Sequence, residues 1–361
     1  MGDMFRGAFK GLVTGLITGL FLFAAGCGDA ASTGSTRPEA ENVTTTRAVS
    51  TAKSIDPDER LSLNPNPPQK PVRLVFIHHS VGEDWLDDSK GGLGKILRDN
   101  NYFVSDTNYG WGPPDVDSGS ENIGDNTDIG NWYNWFAGPN SSMYLNALFA
   151  EKGQSTGTPY ARLAPGIDPG GENEIVIFKS CFPNSGLGGS PNDSATVGAN
   201  PLRGEGSGSE AFTVGNAKGI YSDLLASFAG RQDKLFIVIT APPLMESDTT
   251  LEQAANARAF NRWLVNDWLA DYQYRNVAVF DFYDVLTSNG GEPNINDLGR
   301  ASGNHHRYNV SDDTIEYTTS QGSNFSAYAS GDSHPTAAGL EKAADEFVTL
   351  LNIEYHVWKG E

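Results

Sequence analysis

Cysteine is scarce in this chain, where Cys27 and Cys181 are the only two among 361 residues. Two thiols are too few for a cysteine-ligated metal site. They also do not suggest the disulfide framework of a small secreted domain. If Cys27 is modified, Cys181 has no partner, so the sequence predicts a fold that needs no disulfide.

Basic residues are scarce as well. Lysine and arginine together number 25, against 45 aspartates and glutamates, which gives a formal net charge of −20. Nucleic acids and anionic membrane surfaces are bound through basic patches. The charge therefore argues against both as direct partners and indicates an acidic, soluble surface.

Long hydrophobic runs are confined to the N-terminal end of the chain. Residues 1–26 carry the basic residues Arg6 and Lys10, followed by an uncharged and mostly apolar stretch over residues 11–26. This pattern is typical of a secretory signal peptide and is short for a transmembrane span. The small residues before Cys27 resemble a bacterial lipobox, which predicts that Cys27 is lipidated and begins the mature protein.

A lipid on Cys27 implies an extracytoplasmic bacterial lipoprotein, attached to the membrane of the cell envelope or surface. Ala24 stands where a lipobox usually has leucine. The alternative is an uncleaved membrane anchor, in which Gly11, Gly15 and Gly19, four residues apart, would allow close helix packing.

The rest of the chain divides into a linker and one domain. Residues 27–70 are rich in Ala, Ser, Thr, Asn and Pro and have no periodic apolar positions, so we expect a flexible, disordered tether. From residue 71 to residue 361 the chain has the apolar content of a globular domain. We expect this domain to be monomeric.

Apolar strand-like runs alternate with helix-like segments throughout this domain, which predicts a parallel sheet covered on both faces. The expected fold is an α/β, flavodoxin-like three-layer sandwich with a five-stranded parallel sheet in the order 2-1-3-4-5. The expected strands are residues 72–77, 102–105, 174–178, 235–240 and 277–282, and the expected helices are 94–100, 142–151, 216–228, 251–272 and 336–351.

Polar turns follow the first three predicted strands, and a fourth polar turn precedes the last helix. In an open parallel sheet, sites lie beyond the carboxyl ends of the strands, beside the point where the strand order reverses. Acyl transfer needs a nucleophile, a base, a group that orients the base and oxyanion donors. Ser80, His334 and Asp332 fit the first three roles, and turn amides with Asn184 fit the fourth. The simpler alternative is that Ser80 and His334 only cap helices.

The order of these motifs resembles that of the SGNH, or GDSL-type, hydrolase superfamily. The stretch I-H-H-S resembles the first block, with histidines in place of Gly-Asp before Ser80. The stretch N-Y-G resembles the second block, and Asn184 is the asparagine available for the third. The stretch D-S-H-P resembles the last block with one residue fewer, so that Gly331 stands where the family has its aspartate.

The resemblance implies a serine ester hydrolase that needs no cofactor or metal and removes acetyl or other acyl groups from a carbohydrate. Ser80 would be the nucleophile, His334 the base and Asp332 its partner, with Gly110 and Asn184 as oxyanion donors. Lipid, aryl-ester and peptidoglycan substrates, or transfer to an acceptor other than water, stay open. Five further residues are candidates for contacting substrate or tuning the nucleophile: His78, His79, Asn108, Lys179 and Trp111.

The histidines support an alternative enzyme class. Five of the six fall in three places, as the pairs His78-His79 and His305-His306 and as His334, which has an aspartate two residues before it. Imidazole and carboxylate groups together bind zinc and other divalent ions. A metal-dependent hydrolase is therefore the second hypothesis, although no motif such as H-E-x-x-H is present.

A non-catalytic carbohydrate-binding module is the third hypothesis. Trp111, Trp132, Tyr133 and Trp135 occur in the insertion that follows the second predicted strand. Exposed aromatic rings stack on sugars, whereas aromatic residues in long insertions also form small satellite cores. The sequence leaves both open.

Overall fold

The computed structural model describes residues 62–113, 122–153, 159–288, 291, 306–309, 311, 313–317 and 323–361. The expected signal peptide, Cys27 and most of the expected tether lie outside these residues. The strands are β1 (Val72–Ile77), β2 (Tyr102–Thr107), β3 (Ile175–Lys179), β4 (Leu235–Ile239), β5 (Val277–Phe280), β6 (His306–Asn309) and β7 (Thr314–Tyr317).

Helices alternate with the first five strands. They are α1 (Ser80–Leu86), α2 (Leu93–Asp99), α3 (Trp132–Phe136), α4 (Ser141–Ala150), α5 (Val214–Ala229), α6 (Leu251–Asn266), α7 (Phe282–Thr287) and α8 (Ala337–Lys359). Helices α1, α2, α7 and α8 pack together as one group, and α3, α4, α5 and α6 pack as a second. No described helix is both long and apolar enough to cross a membrane.

The central sheet is parallel throughout and has the strand order β2-β1-β3-β4-β5. All six residues of β1 are buried, and five of them are apolar, as expected for a strand covered on both faces. The sixth, Arg73, forms an ion pair with Asp168 at 2.6 Å. The predicted flavodoxin-like α/β fold is therefore confirmed. The antiparallel pair β6-β7 lies outside this sheet and was not expected from the sequence.

Strand register brings three turns to one edge of the sheet. Ile77, at the end of β1, is level with Thr107 at the end of β2 and with Phe178 of β3. The segments that follow these residues therefore leave the sheet side by side. This is the edge at which the sequence places its candidate site.

Trp85 fixes α1 against α8. Its ring is fully buried and stacks on Phe282 with 4.7 Å between ring centroids, and its indole N–H donates to the Leu340 carbonyl at 3.1 Å. Burying a large aromatic side chain stabilises a fold by about 2–3 kcal/mol. Because α1 begins with Ser80 and α8 follows His334, this contact helps to set the distance between the two residues.

The last residues of the expected tether lie on the domain. Leu63 is buried, and the carbonyls of Pro65 and Asn66 accept hydrogen bonds from the side chains of Asn352 and His356 at 2.9 and 3.0 Å. This docking could not be predicted from composition, because the residues that bind the segment lie nearly 300 positions away in the sequence. The ordered domain therefore begins before residue 71.

Two helices end far from their expected last residues. Helix α8 continues eight residues past the expected end at residue 351, because Ile353 and Val357 supply further buried positions on the same face. Helix α6 ends at Asn266 rather than at residue 272. There the chain turns, which lets the Trp268 indole N–H donate to the Tyr221 carbonyl of α5 at 3.0 Å.

Candidate active site

The structure brings Ser80 and His334 together across 254 positions of sequence. Ser80 is the first residue of α1, three positions after the last residue of β1. His334 lies in the turn that leads to α8. The Ser80 Oγ atom is 3.0 Å from the His334 Nε2 atom, which is hydrogen-bonding distance for a serine and the base that would take its proton.

Asp332 contacts the other ring nitrogen of His334. Its Oδ1 atom is 3.1 Å from Nδ1 and also accepts the backbone N–H of His334 at 2.8 Å. These hydrogen bonds, with the backbone one foremost, lower the pKa of the Asp332 carboxyl. A proton on Nδ1 that points to a carboxylate leaves Nε2 free to accept from Ser80.

The D-S-H spacing allows this contact because of the conformation of the turn at residues 331–334. Gly331 has φ of +115°, a conformation that side-chain-bearing residues rarely adopt. The Ser333 hydroxyl donates to Asp248 at 2.7 Å and accepts the Met245 N–H at 3.1 Å. The turn is thus anchored to the segment that follows β4, and Asp332 reaches the imidazole from two residues away.

Neither residue expected to supply an oxyanion donor has its donor free. The Gly110 N–H donates to Asp125 Oδ1 at 2.9 Å. The Asn184 side-chain amide donates to Asp128 at 2.6 Å and to the Cys181 carbonyl at 3.3 Å, and its residue is almost fully buried. The physical reason is the segment that follows residue 121, whose aspartates take these donors.

Tyr109 was not predicted as a site residue, but it packs on His79, the residue before Ser80. Burial is the main cause that raises the pKa of the phenol, and hydrogen bonding with Ser80 acts in the opposite direction. The ring stacks on His79 with a centroid separation of 4.0 Å and an interplanar angle of 21°. The residue is 52% exposed. Its place inside the N-Y-G motif, directly before Gly110, was the signal in the sequence.

His78 and His79 are buried and use both ring nitrogens inside the protein. His78 contacts the His79 carbonyl and, at 2.9 Å, Asp106, whose other oxygen accepts from Tyr160. His79 contacts the Gly124 carbonyl and the Thr127 hydroxyl. Burial lowers the pKa of His79, which favours the neutral ring. Both imidazoles therefore support the turn that carries Ser80, and neither presents a free nitrogen to a substrate.

The other three expected contact residues also point to partners within the fold. The Asn108 side-chain amide donates to Glu83 at 2.9 Å, and the fully buried Lys179 ammonium donates to the Ser180 carbonyl at 3.1 Å. The Trp111 indole N–H donates to Glu151 at 2.5 Å.

Cys181 is the free thiol of the described chain and lies next to the nucleophile. Its Sγ atom is 3.7 Å from Ser80 Oγ, and the residue is 8% exposed. Phe182 follows it and packs its ring edge-on against His334, with 4.9 Å between centroids. The turn after β3 therefore contributes a thiol and an aromatic wall.

The tryptophans of the insertion form a core. Trp132 and Trp135 are fully buried, and Trp132 packs against Phe136 and Phe178 at 6.0 and 5.0 Å between centroids. Trp111 stacks on Trp135. Of the two roles that the sequence left open for these rings, the structure favours the satellite core.

Within the described ranges, no group of three or more His, Cys, Asp or Glu residues is arranged to hold a metal ion. The pair at residues 78 and 79 has the protein contacts given above. His305 lies outside the described residues, and His306 begins β6.

Neither a scan against protein-family models nor a search of curated proteins finds a match for this chain. Functional assignment therefore rests on the geometry of Ser80, His334 and Asp332.

Proposed function

We propose that the domain is a serine ester hydrolase of SGNH type, with Ser80 as nucleophile, His334 as general base and Asp332 as the residue that orients it. The observation that carries the proposal is the continuous chain of contacts from Ser80 Oγ through the imidazole to the carboxylate, at 3.0 and 3.1 Å. This order of hydroxyl, imidazole and carboxylate is what nucleophilic acyl transfer needs.

In the first half of the reaction, Ser80 Oγ attacks the ester carbonyl carbon while its proton moves to His334 Nε2. The Ser80 backbone N–H, at the start of α1, lies next to the developing oxyanion. The protonated imidazole, balanced by Asp332, then gives its proton to the departing alcohol. In the second half, water repeats the attack and releases the acid from the acyl-enzyme.

The proposed substrate is an acylated carbohydrate, with acetyl as the preferred acyl group. A signal peptide and lipidated Cys27 would place the domain outside the cytoplasm, where polysaccharides are met. Tyr109 and Phe182 flank the reacting groups, so aromatic surface is available for a sugar ring next to Ser80. No cofactor is needed for this chemistry.

The test is turnover of p-nitrophenyl acetate, followed by acetylated polysaccharides, by the wild type and by Ser80→Ala and His334→Ala. We expect both variants to lose about 10³-fold or more in kcat with retained folding. A fluorophosphonate should label the wild type at Ser80 only. Turnover that persists in Ser80→Ala would contradict the proposal.

Two outcomes would favour the other hypotheses. Activity abolished by EDTA, restored by zinc and unaffected by Ser80→Ala would indicate the metal-dependent hydrolase. Saccharide binding by the wild type and by Ser80→Ala, with no ester turnover by either, would indicate the carbohydrate-binding module.

A further inference from the structure

The proposed reaction depends on the peptide group that joins His79 to Ser80. In that reaction the Ser80 N–H faces the oxyanion, because the Gly110 N–H and the Asn184 amide donate to acceptors within the fold. Enzymes stabilise the charge of a tetrahedral intermediate with preorganised hydrogen-bond donors. A trans peptide is planar, and its C=O and N–H point in opposite directions. The contacts of the His79 carbonyl therefore set the direction of the Ser80 N–H.

The His79 carbonyl oxygen lies within hydrogen-bonding distance of three donors. Two are backbone groups of α1, the N–H of Gly82 at 2.8 Å and the N–H of Glu83 at 3.0 Å. The third is the Nδ1 atom of the His78 imidazole, at 3.0 Å. A carbonyl oxygen can only accept a hydrogen bond, so this contact requires a proton on Nδ1.

A buried network fixes the His78 ring in this orientation. Its Nε2 atom lies 2.9 Å from Asp106 Oδ2, and the other oxygen of that carboxylate accepts from the Tyr160 hydroxyl at 3.0 Å. The ring also packs against Phe76, with 4.9 Å between ring centroids. Neither His78 nor Asp106 has more than 1% of its surface exposed. The network thus keeps Nδ1–H directed at the His79 carbonyl.

We propose that His78 is a positioning residue of this enzyme, whose Nδ1–H orients and polarises the His79–Ser80 peptide and so strengthens the Ser80 N–H as an oxyanion donor. The inference rests on the proposed ester hydrolysis, which it deepens. A hydrogen bond to a peptide carbonyl draws electron density to the oxygen and makes the N–H of the same peptide more positive, and a buried setting strengthens this effect. Because its side chain is fully buried, His78 acts through the peptide and not on the substrate.

The decisive pair of variants is His78→Gln and His78→Asn. Glutamine places its amide at the position of Nε2, which keeps a donor for Asp106 and leaves none for the His79 carbonyl. Asparagine places its amide at the position of Nδ1 and keeps the donor for that carbonyl. We expect kcat on p-nitrophenyl acetate to fall about tenfold in His78→Gln and less than about threefold in His78→Asn. KM should change little, because the oxyanion forms only in the transition state.

The matched control is His356→Gln, the same substitution at a buried histidine of α8 whose Nε2 atom lies 3.0 Å from the Asn66 carbonyl. It should keep the wild-type kcat. Rates are calculated per site that a fluorophosphonate labels at completion, so a loss of folded protein does not imitate a slow enzyme.

Two readouts separate positioning from a purely structural role. Butylboronic acid forms a negatively charged tetrahedral adduct with Ser80, and its affinity should fall in His78→Gln by a factor similar to that of kcat. The acidic limb of the pH dependence of kcat/KM should stay in place, because the contacts of His334 are unchanged.

A measurement on the wild type depends on no variant. In ¹⁵N-labelled protein, NMR should show a proton on Nδ1 of His78 that exchanges slowly with solvent, because the ring is buried. An Nδ1 atom without a proton would overturn the inference. If His78→Gln does not fold, this measurement and the kcat of His78→Asn decide in its place.

Wild-type kcat in folded His78→Gln, or equal losses in the glutamine and asparagine variants, would also overturn the inference. The proposed function fails by a different result. If the wild type shows no turnover that depends on Ser80, ester hydrolysis itself is refuted and the assignment of His78 with it. If wild-type turnover depends on Ser80 and His78→Gln matches the wild type, only the assignment of His78 is refuted.

Discussion

The Asp332 carboxylate reaches the Nδ1 atom of His334 at 3.1 Å, although only one residue separates the two in sequence. The same carboxylate oxygen also accepts the backbone N–H of His334. Most of the aspartate side chain, 64%, is exposed to solvent. This is a local and hydrated contact, unlike the buried carboxylate of a typical triad.

Asp332→Asn should therefore cost only about tenfold in kcat, because solvent screens an exposed ion pair. His334→Ala removes the base itself and should cost about 10³-fold or more. Steady-state kinetics on p-nitrophenyl acetate would measure both, with the exposed Asp233→Asn as a control. Equal losses in the variants at positions 332 and 334 would contradict this ranking.

The buried Lys179 should make stability depend on pH in the alkaline range. Burial lowers the pKa of Lys179 from its ordinary 10.5. Between the folded and unfolded pKa values the unfolded chain binds more protons, so the free energy of unfolding rises with pH across that window. Below it, the folded protein bears the full cost of burying the ammonium.

Lys179→Met should then raise the free energy of unfolding at neutral pH by about 1 kcal/mol or more. The gain over wild type should shrink as the pH approaches 10.5, where the unfolded lysine also loses its proton. Urea unfolding at several pH values measures this, and Lys95→Met, on the surface of α2, is the control. A variant less stable than wild type at neutral pH would refute the prediction.

Modification of Cys181 should block Ser80 chemistry. The thiol is 3.7 Å from the Ser80 hydroxyl, so even a methylthio group would occupy the space of the ester. We expect methyl methanethiosulfonate to abolish p-nitrophenyl acetate turnover and dithiothreitol to restore it. Cys181→Ala should be active and insensitive to the reagent. This result would also show that the reagent inhibits by modifying Cys181 and not Cys27. Retained turnover in the fully modified wild type would count against the proximity.

Gly82 should tolerate no side chain. A Cβ atom at this position of α1 would lie 2.3 Å from the Cβ atom of the buried His78. Gly82→Ala should lower the free energy of unfolding by about 1–3 kcal/mol, as overpacking does, and should reduce kcat by shifting Ser80. Gly166→Ala, where a Cβ meets no atom within 4 Å, is the matched control. Equal unfolding midpoints for the two variants in urea would exclude the clash.

The parallel sheet and the edge at which Ser80 lies follow from local patterns and one general rule. Runs such as Leu235–Ile239 are apolar because strands covered on both faces are buried throughout, and parallel strands end at a common edge. Those two facts bring the turns after β1, β2 and β3 together. The placement of the turn before α8 beside them was predicted from the order of the motifs, and the structure brings His334 to within 3.0 Å of Ser80. The strand order is the flavodoxin-like one that was expected for this fold.

The oxyanion donors could not be assigned in the same way. Whether the Gly110 N–H or the Asn184 amide is free depends on where Asp125 and Asp128 lie after folding. These aspartates belong to an insertion with no repeating pattern, so no periodicity fixes their positions. The position of Tyr109 could not be predicted for a similar reason, because it depends on a ring stack with His79.

The docking of residues 62–70 has a mechanical consequence. Their contacts with Asn352 and His356 lie 15 and 19 residues after the first residue of α8. At 1.5 Å per residue this is roughly 23–29 Å along the helix from the end next to His334. Residues 65 and 66 therefore lie near the C-terminal end of α8, whereas Ser80 and His334 lie at its N-terminal end. The expected tether to a lipid on Cys27 would then pull on the domain far from Ser80 and leave the proposed site accessible to a large polymer.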